Sequence, residues 1–145
     1  MRIRQHDEKI ELLRRIEMFA GASRRELREL SMATELALAD AGRVLCRAGK
    51  RAIESYIVLE GEVDVVIDGQ VVATLGRGDF VGEIGVIDGE PRTADVVART
   101  DVALLAIHAT ALRALIETSH SVRIGLLRQV AGRIRRMDLE LQPTG

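Results

Sequence analysis

The chain has 145 residues, of which 47% are hydrophobic, and carries 21 Lys and Arg against 22 Asp and Glu. This length fits one domain with a sizeable core, so residues 1–145 are expected to form a single domain. The net charge of −1 and the three aromatic residues argue against a nucleic-acid-binding surface that relies on charge or base stacking.

The composition also bears on the cellular compartment of the protein. One cysteine cannot form an internal disulfide, so Cys46 is interpreted as a small buried hydrophobe in a reducing compartment. No apolar run approaches the roughly 20 residues that span a bilayer, and the N-terminus lacks the apolar stretch of a signal peptide. We therefore expect a cytoplasmic protein with no membrane span in this chain.

Residues 1–39 are predicted to form two helices. Apolar residues recur at helical spacing over residues 10–19, and Gly21 is expected to end the first helix. Ser23 and Glu26 then have the spacing of a capping box, in which the hydroxyl and the carboxylate each accept from the other residue's backbone amide. The second helix is expected to start there.

Over residues 40–108 the hydrophobic period changes to two, which predicts strands. Asp68-Gly69 is a tight-hairpin signature. Many short strands with no long helix between them indicate an antiparallel barrel or jelly roll. Strands are predicted at residues 44–46, 56–59, 63–67, 71–75, 94–97 and 102–107.

Residues 109–141 are predicted to return to helix. A short amphipathic segment runs through Leu112 and Leu115, and a longer one extends from Ile124 to Met137. The predicted fold class is therefore α+β: an antiparallel, jelly-roll-like β-roll (a double-stranded β-helix) flanked by N-terminal and C-terminal helices. The Arg133–Arg136 run is interpreted as the solvated face of the last helix.

Charge differs between these zones. Residues 40–108 carry seven basic and twelve acidic groups, whereas residues 109–145 carry six basic and three acidic groups. Opposite charges on two parts of one domain attract each other. The pattern predicts an acidic centre on which the basic tail can dock.

The segment Gly76–Val96 follows neither strand nor helix periodicity. Its glycines allow close backbone approach, and Gly82–Gly85 can open a short helix whose unpaired amides favour an anion. Arg92 adds a planar fork of donors suited to phosphate. Glu83 would repel phosphate alone but can accept from a sugar hydroxyl, and Thr93 adds a hydroxyl. The set describes a phosphorylated ribose, with too few catalytic groups for its hydrolysis.

Two motifs in this segment carry a family resemblance. Gly78–Gly85 (GDFVGEIG), followed by Pro91–Val96 (PRTADV), closely resembles the phosphate-binding cassette of the cyclic nucleotide-binding domain family, with the cassette at residues 78–96. Gly42–Gly49 is similar to the family's first barrel strand and Tyr56–Val63 to its hairpin. The resemblance covers nearly the whole chain.

The resemblance implies roles for individual residues. Glu83 would bind the ribose 2′-hydroxyl and Arg92 an exocyclic phosphate oxygen. It also implies that the last helix closes over the base, where Met137 and Asp138 would meet the purine; for Asp138, solvent exposure is an equal alternative. Amide or hydroxyl contacts would come from Gly82, Ile84 and Thr93, and Gly85 and Ala94 complete the predicted ligand-binding set.

The expected function is a regulatory sensor that binds cyclic AMP by preference, or cyclic GMP, and converts binding into movement of the C-terminal helix. It is not expected to be an enzyme, to carry a cofactor or to bind a metal, because His6, His108 and His120 lack ligand spacing. One alternative is a degenerate roll that dimerises through Ile124–Met137 without ligand. Another is the cytoplasmic gating domain of a cyclic nucleotide-regulated channel.

The output of such a sensor is left open by the sequence. Four residues follow Leu141, which leaves no helix-turn-helix in this chain, so direct DNA binding is not expected. A homodimer through the C-terminal helix, and a fused or partner effector domain, are both compatible with the pattern.

Overall fold

The computed structural model describes residues 6–141, except for the side chains of residues 6, 83, 84 and 137–141. Helices lie at both ends of the described range and strands in the middle. The helices are α1 (His6–Arg14), a 3-10 helix (Glu17–Phe19), α2 (Arg24–Ser31), α3 (Glu83–Asp88), α4 (Ala109–Thr118) and α5 (His120–Leu141). The strands are β1 (Thr34–Ala39), β2 (Val44–Cys46), β3 (Glu54–Glu60), β4 (Val63–Ile67), β5 (Gln70–Leu75), β6 (Phe80–Val81), β7 (Asp95–Ala98) and β8 (Val102–His108).

The strands form two four-stranded sheets, and the pairs in both are antiparallel. One sheet has the order β1-β8-β3-β6 and the other β2-β7-β4-β5. The hairpin between β4 and β5 turns at Asp68 (φ 51°) and Gly69 (φ 76°), as the Asp-Gly pair predicts. The predicted β-roll with flanking helices is confirmed.

Two apolar clusters hold these layers together. The first lies between the two sheets and includes Val58, Val96 and Leu104. The second packs the other face of the first sheet against the helices and includes Phe19 and Leu105. Strand β8 contributes to both clusters because its side chains alternate between the two faces of the sheet.

The N-terminal prediction is wrong in two places. The first helix ends at Arg14, and Ile16 is extended (φ −79°, ψ 130°) before the separate 3-10 helix Glu17–Phe19. Residues 34–39 form strand β1, not helix, so the helical zone ends before residue 39. Strand β1 pairs with β8 along its whole length, from Thr34 opposite Ile107 to Ala39 opposite Val102.

The capping box at the start of α2 is confirmed. The Ser23 hydroxyl accepts from the Glu26 amide at 3.1 Å, and the Glu26 carboxylate accepts from the Ser23 amide at 2.8 Å. At the other end of the chain, α5 packs on the 3-10 helix through Gly125, where any Cβ would collide with the Met18 backbone. This close approach holds the start of α5 against the 3-10 helix.

Candidate functional site

A cavity of about 500 Å³ opens on the roll beside the segment that follows β6. Volumes of this order accommodate small-molecule ligands. Apolar side chains from strands β4, β5 and β7 form one wall, including Val65, Leu75 and Val96. The opposite wall is polar and comes from residues 82–94 and from α5.

Gly82 shapes the polar wall. It follows β6, has φ 83° and stands immediately before α3. A Cβ on Gly82 would lie 2.5 Å from Nη1 of Arg92. Because real Cβ contacts are longer than this, a glycine is needed both for the backbone conformation and for the approach of the guanidinium. The conformation of the turn at Gly82 and the position of the Arg92 guanidinium therefore depend on each other.

Arg92 is held by backbone groups. Its Nη2 donates to the Glu54 carbonyl, its amide donates to the Lys50 carbonyl at 3.0 Å, and its own carbonyl accepts from the Gly49 amide at 2.7 Å. Among the described side chains, no carboxylate lies within 4.0 Å of the Arg92 guanidinium. The cavity thus holds a positioned positive charge that can pair with an anion.

Tyr56 and Cys46, two titratable side chains near Arg92, favour their neutral forms. Burial raises the pKa of Tyr56 to about 12, and nearby Glu54 and Cys46 add to the rise while Arg92 opposes it. Burial also raises the pKa of the Cys46 thiol, again against the effect of Arg92. Partly buried surroundings screen the arginine less than water does, which strengthens its attraction for an anion, and the carboxyl-bearing residues Asp88 and Glu90 also line the cavity.

Two further arginines reach the cavity from α5. Arg133 and Arg136 both line it, and Nη2 of Arg133 donates to the Phe80 carbonyl at 3.2 Å. The interpretation of this run as a solvated face is therefore wrong for Arg133, which is half-buried, whereas Arg136 lines the cavity and is also exposed to solvent. A three-residue spacing puts them on one side of the helix, whereas Arg135 is exposed and does not line the cavity.

Most of the predicted site residues gather at this cavity. Those that line it are Gly82, Gly85, Arg92, Thr93 and Ala94. Glu83 and Ile84 begin α3, but their side chains lie outside the described residues, as do those of Met137 and Asp138 in α5. The sequence interpretation missed Arg133 and Arg136, for which the three-residue spacing was the available signal.

Two neighbouring acids have structural roles. Asp79 accepts from the Gly76 amide at 2.8 Å and so closes a turn. Asp95 accepts from the Ala48 amide at 2.7 Å. This bond fixes the turn before Gly49, whose amide in turn binds the Arg92 carbonyl.

The described residues offer neither a metal-ligand cluster nor a membrane-spanning helix. They contain no group of three or more His, Cys, Asp or Glu residues placed to hold a metal ion. None of the helices within residues 6–141 has the length and apolar character needed to cross a membrane.

Comparison with known proteins bears on the same segment. The family model described as the cyclic nucleotide-binding domain matches residues 38–119, which include the whole of the segment from Gly82 to Ala94. A cyclic nucleotide-gated potassium channel of Rhizobium etli is 32% identical over 112 residues, or 77% of this chain and 31% of the channel. The chain thus spans about a third of the length of this channel and of a similar one from Mesorhizobium japonicum.

Solved structures resemble this chain over most of its length. The catabolite activator protein of Thermus thermophilus is 30% identical with a TM-score of 0.71, covering 86% of this chain and 61% of that one. The regulatory subunit of a cAMP-independent protein kinase A from Trypanosoma brucei is 29% identical with a TM-score of 0.74, covering 88% and 47%. Regulatory proteins therefore share this fold.

Proposed function

The chain belongs to the cyclic nucleotide-binding domain family, and from that membership we propose that it is a regulatory sensor that binds cyclic AMP or cyclic GMP in the cavity beside Gly82. The observation that supports the proposal most directly is the environment of the Arg92 guanidinium. Its guanidinium lines the cavity, is oriented by a backbone carbonyl and has no carboxylate partner among the described side chains. A cyclic phosphate, with its single negative charge, is a matching partner.

The proposed contacts follow the order of the segment. The phosphate binds the Arg92 guanidinium and the amides at the start of α3, and Glu83 accepts from the ribose 2′-hydroxyl. Gly85 makes room on the cavity wall, with its hypothetical Cβ 3.2 Å from that of Ala52. The base then lies against the apolar wall that includes Val65 and Leu75.

The choice between the two nucleotides rests on the base. Cyclic AMP remains the first ligand to test. Cyclic GMP is supported by the Thr93 hydroxyl and by Arg133 and Arg136, which line the same cavity. Arginine only donates, and it matches the O6 and N7 acceptors of guanine better than the N6 amine of adenine.

The effect of nucleotide binding is proposed to be transmitted by a change in the packing of α5. Arg133 already bridges α5 and β6 through the Phe80 carbonyl, so a nucleotide that fills the cavity contacts both elements. Tighter packing of α5 over the bound nucleotide would favour the closed arrangement, and the ligand shifts the equilibrium by its preference for that form. Met137 and Asp138, which directly follow Arg136 and lie about one turn beyond Arg133, would then approach the base.

The regulated output is proposed to lie outside this segment. The channel relative supports a gating domain, because this chain matches about a third of that protein. The family is a ligand-binding domain rather than a catalytic one, which fits a role in signalling. A cytoplasmic location follows if the output is cytoplasmic signalling.

Isothermal titration calorimetry of the whole chain with cyclic AMP and cyclic GMP tests the function. We expect binding of one nucleotide per chain, and about 100-fold weaker binding by Arg92→Ala, because charge-assisted hydrogen bonds are lost and each factor of ten corresponds to about 1.4 kcal/mol. Arg77→Ala is the control, since Arg77 is exposed in the same segment and does not line the cavity. Equal affinities of the two variants would contradict the proposed role of Arg92.

A second candidate function is self-association through α5. Leu127 and Ile134 on this helix are 65% and 54% exposed, which is unusual for large apolar side chains. A dimerisation module predicts a stable dimer in analytical ultracentrifugation together with no heat of nucleotide binding. A monomer that binds a cyclic nucleotide would exclude this candidate.

A further inference from the structure

A second concave surface lies near the start of α4, and Arg92 is not among its lining residues. We call it the basic groove; its volume is about 490 Å³. Three segments meet there: the loop before β3, the residue after α3, and the junction of β8 with α4. Its lining residues are Arg51, Ala52, Ile53, Gly89, His108, Ala109, Thr110 and Arg113.

The basic groove is lined by two arginines and one histidine, and no acidic residue is in its lining. Arg51 and His108 make no side-chain hydrogen bond or ion pair with any described residue, and Arg113 donates through Nε to the Val86 carbonyl at 2.9 Å. Arginines elsewhere on the surface do meet carboxylates, as in the pair Arg24–Asp7 at 2.8 Å. The groove therefore concentrates positive charge that the described protein does not neutralise.

The basic groove also has an apolar side. Ile53 is 72% exposed and lies beside Ala52 and Ala109 in the lining. Exposed large apolar side chains next to a charged cluster suit a ligand that has an anionic head and a small apolar body. A purely inorganic anion would leave Ile53 without a contact.

We propose that the basic groove binds a small organic phosphomonoester. At neutral pH such a group carries a charge of about −1.5 to −2, which two arginines balance, whereas a cyclic phosphate diester carries one charge. The guanidinium forks of Arg51 and Arg113 bind the phosphate oxygens, the Thr110 hydroxyl donates to a third oxygen, and Ile53 covers the organic group.

The basic groove and the first cavity share structure. Arg113 ties α4 to α3 through Val86, and Ala52 in the groove lies against Gly85, which lines the first cavity. A ligand that reorders α3 from one side therefore changes the affinity on the other, and such coupling is reciprocal. Only this coupling rests on the proposed nucleotide binding; the binding of a phosphomonoester in the basic groove does not.

The site is tested by ¹H–¹⁵N NMR titration of the whole chain with phenyl phosphate. We expect saturable shifts at the amides of residues 51–53, 89 and 108–113, and about tenfold or weaker binding by Arg51→Gln. Arg15→Gln removes the same charge from an exposed arginine on the chain outside the groove and should bind as the wild type does. Shifts absent from the groove, or equal affinities of the two variants, would overturn the proposal.

Two further arms of this experiment identify the ligand class and the coupling. Phenyl phosphate is expected to bind at least several-fold more tightly than inorganic phosphate, and equal binding would overturn the assignment to an organic ester. Saturating phenyl phosphate should change the cyclic nucleotide affinity about fivefold or more. An unchanged nucleotide affinity in a chain that binds both ligands would overturn the coupling.

Discussion

Arg92 lines the cavity in a position that is open because Gly82, ten residues earlier, has no side chain. Gly82 leaves the space that Nη1 of Arg92 occupies, and the Glu54 carbonyl orients the other end of the guanidinium. The motif in the sequence predicts that both residues matter. Their mutual contact, and the part that Glu54 plays, depend on the folding of β3 beside the segment.

Replacing Gly82 tests this contact. Gly82→Ala forces a Cβ into the Arg92 guanidinium, and we expect about tenfold or weaker nucleotide binding in calorimetry, from the loss of one charge-assisted bond. Gly78→Ala is the matched control: its φ is 87°, close to the 83° of Gly82, but no atom lies within 4 Å of its Cβ position. Both variants should lose about 1–2 kcal/mol of stability from the left-handed backbone. Equal affinity of the two variants would contradict the proposed contact.

Tyr56 provides a pH test at the same scale. Its pKa of about 12 lies above the ordinary value of 10, mainly because of burial, so the folded state favours the neutral phenol. The stabilisation is complete below pH 10 and is lost as the pH rises from 10 towards 12. Since the chain has one tyrosine, ultraviolet absorbance of the phenolate measures its titration directly.

The expected result is a phenolate midpoint near pH 12 in the folded protein and near 10 in urea. Tyr56→Phe should unfold with less dependence on pH across this range, although the raised pKa of Cys46 leaves part of the alkaline loss in place. A midpoint near 10 in the folded protein would contradict the buried position of the phenol.

At the scale of elements, strong local signals gave correct predictions and weak ones did not. The capping box of α2 and the Asp68-Gly69 hairpin form as expected, since both depend on neighbouring residues. Strand β1 has the sequence TELALA, which suits helix as well as strand. Its pairing with β8 decides the outcome, because tertiary contacts override weak propensity.

The contact between α5 and β6 leads to an element-scale prediction. Arg133→Ala removes the hydrogen bond to the Phe80 carbonyl, and we expect about threefold to tenfold weaker nucleotide binding because α5 covers the ligand less tightly. Hydrogen exchange in α5 should also show less protection on ligand addition. Arg135→Ala is the control, since Arg135 is exposed outside the cavity lining. The helix-closure proposal fails if the two variants bind and exchange alike.

At the scale of the whole molecule, ligand binding should appear as stability. A ligand at 100 times its dissociation constant adds about 2.7 kcal/mol to a protein that binds it only when folded. For a chain of about 150 residues this raises Tm by about 5–10 °C. Differential scanning calorimetry with cyclic AMP and with cyclic GMP measures the rise, and Arg92→Ala should show little of it at the same concentrations. No rise with either nucleotide would favour the dimerisation module.

The distribution of charge is also a property of the whole molecule. The sequence predicts that the basic tail docks on the acidic centre, and two of its arginines do line the cavity of the roll. The net charge of the chain is close to zero, but cations are in local excess on α5 and at Arg92. The same is true of the basic groove, whose two arginines, Arg51 and Arg113, come from separate parts of the chain.

The β-roll, most of its strands and the segment that contains Gly82 and Arg92 are predictable from the amino-acid order, because alternation, turn residues and capping depend on neighbours along the chain. Tertiary structure alone decided that residues 34–39 become β1, that the first helix stops at Arg14, and that Arg133 and Arg136 face the cavity. These outcomes depend on strand pairing and helix packing between residues far apart in sequence, for which a local pattern carries no signal.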